Sequence, residues 1–175
     1  MSDRAVLLDK DGTLVHNVPG ARDPAAFELM PLVGETLARL SNAGFRLAVV
    51  SNQPGVALGC FTAADLERTE RRLRECLGLP IERFFYCPHA PDEGCACRKP
   101  APGLLQHAMR ALDAAPETTW FVGDILDDIE AAHRAGCRAI LFDSGGETEW
   151  EWSPLRAPDH VVRRFDRVAD LILGS

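Results

Sequence analysis

The chain has 175 residues, 46% of them hydrophobic and 26% charged, with a formal net charge of -7. That length suits one domain with a sizeable core, and the acidic balance argues against nucleic acid or an anionic membrane as partner. The only apolar run near the start, Ala5 to Leu8, is too short for a secretory signal. Nothing approaches the ~20 apolar residues of a transmembrane helix, so a cytoplasmic protein is expected.

In chain order, short apolar runs alternate with segments of helical spacing. The first run, 5–9, ends on Asp9 and opens into Asp9-Lys10-Asp11-Gly12-Thr13. Two carboxylates two residues apart after a buried strand suit phosphoryl transfer, with Asp9 as nucleophile and Asp11 handling the leaving group's proton. An Asp-Gly surface turn explains the same pentapeptide equally well. A calcium loop does not, because Gly12 at its sixth position would make Leu7 the first ligand. The stretch 15–22 reads as a flap whose polar side chains are His16, Asn17 and Arg22. Val33, Leu37 and Leu40 then mark a helix that stops by Gly44. The second run, 46–52, ends on Ser51 and Asn52, followed by Gln53. A hydroxyl and amides there can donate to phosphate oxygens, or can simply cap the strand. Leu66, Leu73 and Leu77 mark the next helix, with Thr62 and Asp65 as its capping box and Gly78 as its stop.

The third run, 83–88, leads into Cys87-Pro88-His89, five residues, then Cys95-Ala96-Cys97. Four soft or borderline donors set as two close pairs suit a tetrahedral zinc site at Cys87, His89, Cys95 and Cys97. A shell of four protein ligands leaves no position for water, so this zinc is expected to be structural. Cys60, Cys76 and Cys137 stand apart and read as small core residues; no disulfide framework is expected. Arg98 and Lys99 follow at once, ahead of a helix that opens near Pro102 and carries Leu104, Ala108, Met109 and Leu112. A lysine so placed can neutralise a pentavalent phosphoryl group. The fourth run, 119–124, ends on Asp124, with Asp128 four residues on along a helix marked by Ile125, Ile129 and Ala132. Hard cations such as Mg²⁺ favour such carboxylate sets, although acids in a first turn also serve the helix dipole. Runs at 139–143 and 160–162 complete the series. Trp150 and Trp152, in a late loop, are expected to pack the C-terminal tail down. His107, His133 and His160 read as surface or packing residues, and the tail after Asp143 has no assigned role.

Strands apolar on both faces, alternating with helices, imply an α/β fold. A doubly wound, Rossmann-like parallel sheet of about six strands is expected, with helices on both faces, in one domain over 1–175. Ligands of such folds bind beyond the carboxyl ends of the strands, where Asp9, Ser51-Asn52, Cys87 and Asp124 stand.

Taken in order, DKDGT, SNQ, RKP and GDILDD over residues 5–145 resemble the four motifs of the haloacid dehalogenase superfamily of phosphohydrolases. The C-x-H…C-x-C loop just before Arg98 is similar to that of its zinc-containing branch, which holds heptose 1,7-bisphosphate phosphatases and histidinol-phosphate phosphatases. The resemblance implies that Asp9 forms an aspartyl-phosphate and that Asp11 acts as general acid, then base. Ser51 would contact the phosphoryl group and Lys99 stabilise it. Arg98 would help recognise substrate; beside it, the residues themselves put forward Asn17 of the flap and Asn52 and Gln53 after the second run as further substrate contacts. Asp9, the Asp11 carbonyl and Asp124 would hold Mg²⁺ with Asp128 in support, while Zn²⁺ sits in the loop. In this branch the zinc loop replaces a large cap domain. The implied partner is a small phosphorylated metabolite acted on by a monomer, heptose 1,7-bisphosphate first, histidinol phosphate or another sugar phosphate second. Two features depart from the heptose phosphatases: Ile125 stands where they often carry lysine, and the five-residue spacer is shorter than is usual for them. Two alternatives come from other classes, a phospho-accepting receiver and a zinc-ribbon module. A receiver's acceptor lies mid-chain and has no use for Asp11. In a zinc ribbon the metal loop would itself be the function.

Overall fold

A computed structural model of the protein describes residues 4–16, 23 and 25–174. Six parallel strands form one sheet: β1 (Ala5–Leu8), β2 (Arg46–Asn52), β3 (Arg83–Cys87), β4 (Thr119–Gly123), β5 (Arg138–Phe142) and β6 (His160–Val162). Their order is β3-β2-β1-β4-β5-β6. Strand order reverses between β1 and β4, so the crevice of a doubly wound sheet lies beyond the carboxyl ends of those two strands. Register fixes what meets there. Leu8 pairs with both Val49 and Val122, and the Asp9 N–H donates to Val122 O at 2.9 Å. Asp9 therefore leaves β1 beside the end of β4, one residue short of Asp124.

Successive strand residues point to opposite faces, and each face has its own core. Val6, Leu8, Leu47, Val49 and Val122 pack under α1 (Val33–Asn42), α2 (Ala63–Leu77) and α5 (Asp166–Gly174). Ala5, Leu7, Ala48, Val50 and Phe121 pack under α3 (Gly103–Ala111) and α4 (Leu126–Ala135). The β1 residues are fully buried, as a central parallel strand covered on both sides must be. The Thr62–Asp65 capping box forms at the start of α2. The helix α2 stops at Gly78 as expected, and α4 stops in the same way at Gly136. No helix of the described residues is long and apolar enough to cross a membrane.

Two expectations need correction. Cys60 is exposed rather than a core residue, because it lies in the loop ahead of the Thr62 cap rather than on a packed face. Ile125 lies outside α4, with extended backbone at the position before its first turn, so the buried stripe runs through Leu126, Ile129 and Ala132. The tail after Asp143 supplies β6, at the apolar run 160–162, and also α5, whose Val168, Ala169 and Ile172 are buried in the same core as α1.

Candidate active site

Three carboxylates, Asp9, Asp124 and Asp128, come within 4.8 Å of one another at the switch point, all buried. Asp9 and Asp124 leave β1 and β4, and Asp128 reaches back from the first turn of α4. The one ammonium among them belongs to Lys99, which is 3% exposed. Its Nζ donates to Asp9 Oδ1 at 2.6 Å and to Val50 O at 3.1 Å. It also forms an ion pair with Asp128 Oδ1 at 2.7 Å. Asp128 Oδ2 accepts from the backbone N–H of Asp124 at 3.2 Å and of Ile125 at 3.4 Å. It thus holds the strand-to-helix turn as well as facing the lysine.

The electrostatics follow from burial. Desolvation raises the Asp9 carboxyl to about 7, against the opposing pull of Lys99. Desolvation, reinforced by the charges of Asp9 and Asp128, raises Asp124 to about 8. Burial works against the Lys99 charge, but Asp128 and Asp9 outweigh it and hold the ammonium well above its ordinary range. Three carboxylates facing one ammonium leave an excess of two negative charges when all are ionised. Hard oxygen donors with uncompensated charge fit a divalent cation such as Mg²⁺. Two glycines make the crowding possible. Gly12 has φ +86°, and a Cβ there would lie 2.1 Å from Asp124 Oδ2; one on Gly123 would lie 2.3 Å from Asp128 Oδ2. Thr13 Oγ1 donates to Asp124 Oδ1 at 3.2 Å, so the DKDGT turn both leaves room for the second carboxylate and orients it.

Asp11 stands at the rim, paired through Oδ1 with Lys10 Nζ. Its Oδ2 accepts from Gln53 Nε2 at 2.8 Å, and the same nitrogen donates to Ser51 Oγ at 2.9 Å. Asn52 faces away from the carboxylates. Its Nδ2 donates to Lys99 O and its Oδ1 accepts from Lys99 N, both at 3.1 Å, so this amide pins the backbone that carries the lysine. Arg98 Nη1 donates to His89 O at 3.5 Å. Asn17 and Arg22 lie outside the described residues, while His16 is exposed. Spacing gave no role to Lys10, Gly12, Thr13 or Gly123; the only available signal was their adjacency to the aspartates.

The knuckle closes as its spacing predicts. Cys87, His89, Cys95 and Cys97 converge within 4.8 Å. Cys87 Sγ is 3.5 Å from Cys95 Sγ and 3.2 Å from Cys97 Sγ, and the latter two are 3.5 Å apart. His89 presents Nδ1, at 3.5 Å from Cys87 Sγ and 3.3 Å from Cys97 Sγ. Zinc bonded at ordinary lengths would set such atoms about 3.5–3.8 Å apart in a tetrahedron, so the donor set fits the ion with a slight expansion. Burial pushes the Cys87 thiol up to about 12. Burial also opposes ionisation of Cys95, but N–H groups of Arg98 and Cys97 directed at its sulfur bring it down to about 7. The knuckle braces its neighbours: Gln53 N donates to Cys87 O, Ala57 N to Pro88 O, and Gly103 N to Ala96 O.

Beside Asp124 a cavity of about 400 Å³ runs past Gly12, His16 and Ile125 to Ser144–Glu147. The late loop borders it. Trp150 packs against the core under α4 rather than against the C-terminal helix α5, whose buried residues lie in the other core, and Trp152 stacks on Trp150 at 5.7 Å and is 58% exposed.

Residues 96–168 match the family model described as HAD-hydrolase-like. The chain is 38% identical to the D-glycero-beta-D-manno-heptose-1,7-bisphosphate 7-phosphatase of Pseudomonas aeruginosa over 99% of both chains. It is also 38% identical to the protein of that name from Pseudomonas putida, over 81% of this chain and 83% of that one. The crystal structure of the D,D-heptose 1,7-bisphosphate phosphatase of B. bronchiseptica, complexed with magnesium and phosphate, is similar with a TM-score of 0.83 and 30% identity, covering 98% of both chains. On this likeness over its whole length, the chain belongs to the haloacid dehalogenase-like hydrolases, in the branch of the heptose-bisphosphate phosphatases, and is a phosphoric monoester hydrolase.

Proposed function

We propose that this single-domain, monomeric, cytoplasmic enzyme removes the 7-phosphate of D-glycero-D-manno-heptose 1,7-bisphosphate through an aspartyl-phosphate on Asp9. The observation that carries the chemistry is Asp9 itself, buried at the switch point with Lys99 on one carboxylate oxygen and Asp124 beside it. The substrate rests on the relatives that bear its name. In the first step an Asp9 oxygen attacks phosphorus and the bond from phosphorus to the sugar oxygen breaks. Asp11 gives that oxygen its proton. In the second step Asp11 takes a proton from a water that attacks the same phosphorus, and the bond to Asp9 breaks to release inorganic phosphate. Lys99 holds the charge of the equatorial oxygens and Ser51 donates a hydrogen bond to one of them. Asp9, the Asp11 carbonyl and Asp124 would hold Mg²⁺, which when bound neutralises the pocket's excess negative charge. Asp128 supports from behind through Lys99 and the turn it caps. Cys87, His89, Cys95 and Cys97 would hold a structural Zn²⁺.

The substrate is tested by kcat/KM for α- and β-heptose 1,7-bisphosphate, histidinol phosphate and simple sugar monophosphates. Preference for a heptose bisphosphate by at least about 100-fold is expected, a discrimination that buried polar contacts readily supply. Equal or faster turnover of histidinol phosphate would overturn the substrate while leaving the chemistry in place.

The magnesium site has a readout apart from activity. Burial lifts Asp9 to about 7 and Asp124 to about 8, from 3.8 in the unfolded chain. Between those values the folded protein holds more protons than the unfolded one, so stability falls as pH rises. Protein kept free of magnesium should therefore melt progressively lower from pH 5 to pH 8. Added Mg²⁺ should raise the melting temperature by several degrees at pH 8 and by little at pH 5. A magnesium effect equal at both pH values would count against a cation among these carboxylates.

A further inference from the structure

Like Asn52, Gln53 takes a place that differs from the expectation of a substrate contact, and its partner is a catalytic carboxylate. It is 5% exposed and sits just past the end of β2. A carboxylate only accepts, so the atom facing Asp11 must be the amide nitrogen. That nitrogen has two hydrogens. One goes to Asp11 Oδ2 at 2.8 Å and the other to Ser51 Oγ at 2.9 Å, so neither is left for a phosphate or a sugar hydroxyl. Ser51 accepts through its oxygen, and its own hydroxyl hydrogen stays available to the phosphoryl group.

Asp11 shows why such a contact matters. Its side chain is 37% exposed, in contrast to the buried carboxylates around Lys99. A free aspartate at a solvent rim samples several rotamers, and only one can address an oxygen on phosphorus. Here both carboxylate oxygens are held by donors that are themselves buried: Oδ1 by Lys10, 3% exposed, and Oδ2 by Gln53. Gln53 is held in turn by Ser51 and by its backbone N–H, which donates to Cys87 O at 2.8 Å. The chain Ser51–Gln53–Asp11–Lys10 thus carries the rigidity of the sheet edge out to the exposed carboxylate.

We infer that Gln53 is a positioning residue for proton transfer, fixing the Asp11 carboxylate from a buried amide anchored on Ser51, rather than a hydrogen-bond donor to the substrate. The inference rests on the reading of Asp11 as general acid and base. Orientation of a catalytic group is worth a share of the ~10²–10⁴-fold that acid–base catalysis supplies.

The test is Gln53→Met, which keeps length and volume and removes both donors. Rapid-quench measurement would follow formation and hydrolysis of the phosphoenzyme, with heptose bisphosphate and with p-nitrophenyl phosphate, whose leaving group needs no proton. Hydrolysis of the phosphoenzyme, and its formation from the sugar phosphate, should each slow by about 10–100-fold. Formation from p-nitrophenyl phosphate should change by less than about threefold, and KM for the sugar phosphate should stay near the parent's. A raised KM with unchanged phosphoenzyme hydrolysis would make Gln53 a substrate contact and overturn the inference. Gln53→Asn, whose shorter amide cannot span the same gap, makes the same measurement if the methionine variant fails to fold. Asp11→Asn is run in parallel. If it leaves both proton-dependent steps unchanged, the acid–base reading falls; if it slows them and Gln53→Met does not, only the positioning role falls.

Discussion

Asp9→Asn is expected to lower kcat by at least about 10⁴-fold, the scale on which removal of a nucleophile acts when the rest of a site survives. The substitution keeps the volume of the side chain, and the amide oxygen can still accept from Lys99, which lies 2.6 Å from Asp9 Oδ1. What it removes is the oxyanion that would attack phosphorus. Loss of activity through misfolding is separable on physical grounds. Desolvation dominates at Asp9 and lifts its carboxyl to about 7, so the ionised form is a cost to the folded state at higher pH. A neutral amide relieves that cost, and Lys99 keeps its partner in Asp128. In protein free of magnesium at pH 8 the variant should therefore melt no lower than the parent, and higher where the relief is complete. Thermal unfolding and release of inorganic phosphate, measured on the same preparation, check both halves. Activity within tenfold of the parent would exclude Asp9 as the nucleophile.

The sheet edge was legible because the strands are apolar on both faces and end abruptly on polar residues; Leu8 is buried and the next residue is Asp9. Alternation of such runs with helical spacing sufficed to name the fold class, and order along the chain sufficed to name the motifs. What stayed hidden depends on contacts distant in sequence. Nothing in the RKP tripeptide says that Lys99 reaches Asp9, 90 residues away. Nothing in SNQ says that its two amides diverge, Asn52 to the backbone of Lys99 and Gln53 to Asp11. Both read as phosphate contacts because an amide beside a strand end looks the same whether it meets a ligand or a neighbouring loop. Helix α5 is a different case. Phe165, Val168, Ala169 and Ile172 repeat at the spacing that marks the other helices, so this element was available to the same reading. Ile125 misled by one step: it is apolar at the right interval before Ile129, but the Asp128 carboxylate takes the N–H groups of Asp124 and Ile125 and starts the helix after them.

Cys97→Ser should produce the largest loss of stability. Isolated zinc-binding peptides draw ~10–16 kcal/mol of folding free energy from the metal. Here the loop is also held by Gln53 N to Cys87 O, Ala57 N to Pro88 O and Gly103 N to Ala96 O, so part of its order survives without the ion. Retaining even a minor share of the metal's contribution puts the loss at about 4 kcal/mol, which for a chain of this length lowers the melting temperature by about 8–16 °C. The Cys97 sulfur lies within 3.5 Å of Cys87 Sγ, Cys95 Sγ and His89 Nδ1, and Lys99 follows two residues later. Loosening at Cys97 is countered by the Asn52 amide, which grips the Lys99 backbone from the other side at 3.1 Å. Below its melting range the variant should therefore keep turning over, with kcat reduced by roughly tenfold or less as Lys99 loses part of its positioning. That pairing of a large thermal effect with a small kinetic one is what a structural ion behind a separate active site requires. Metal analysis of the parent should find about one zinc per chain, lost together with the stability in Cys97→Ser. A melting temperature within roughly 2 °C of the parent's would mean that the four side chains hold no metal that matters to the fold. Turnover abolished at temperatures where the variant is folded would move the ion from bracing the site to taking part in it.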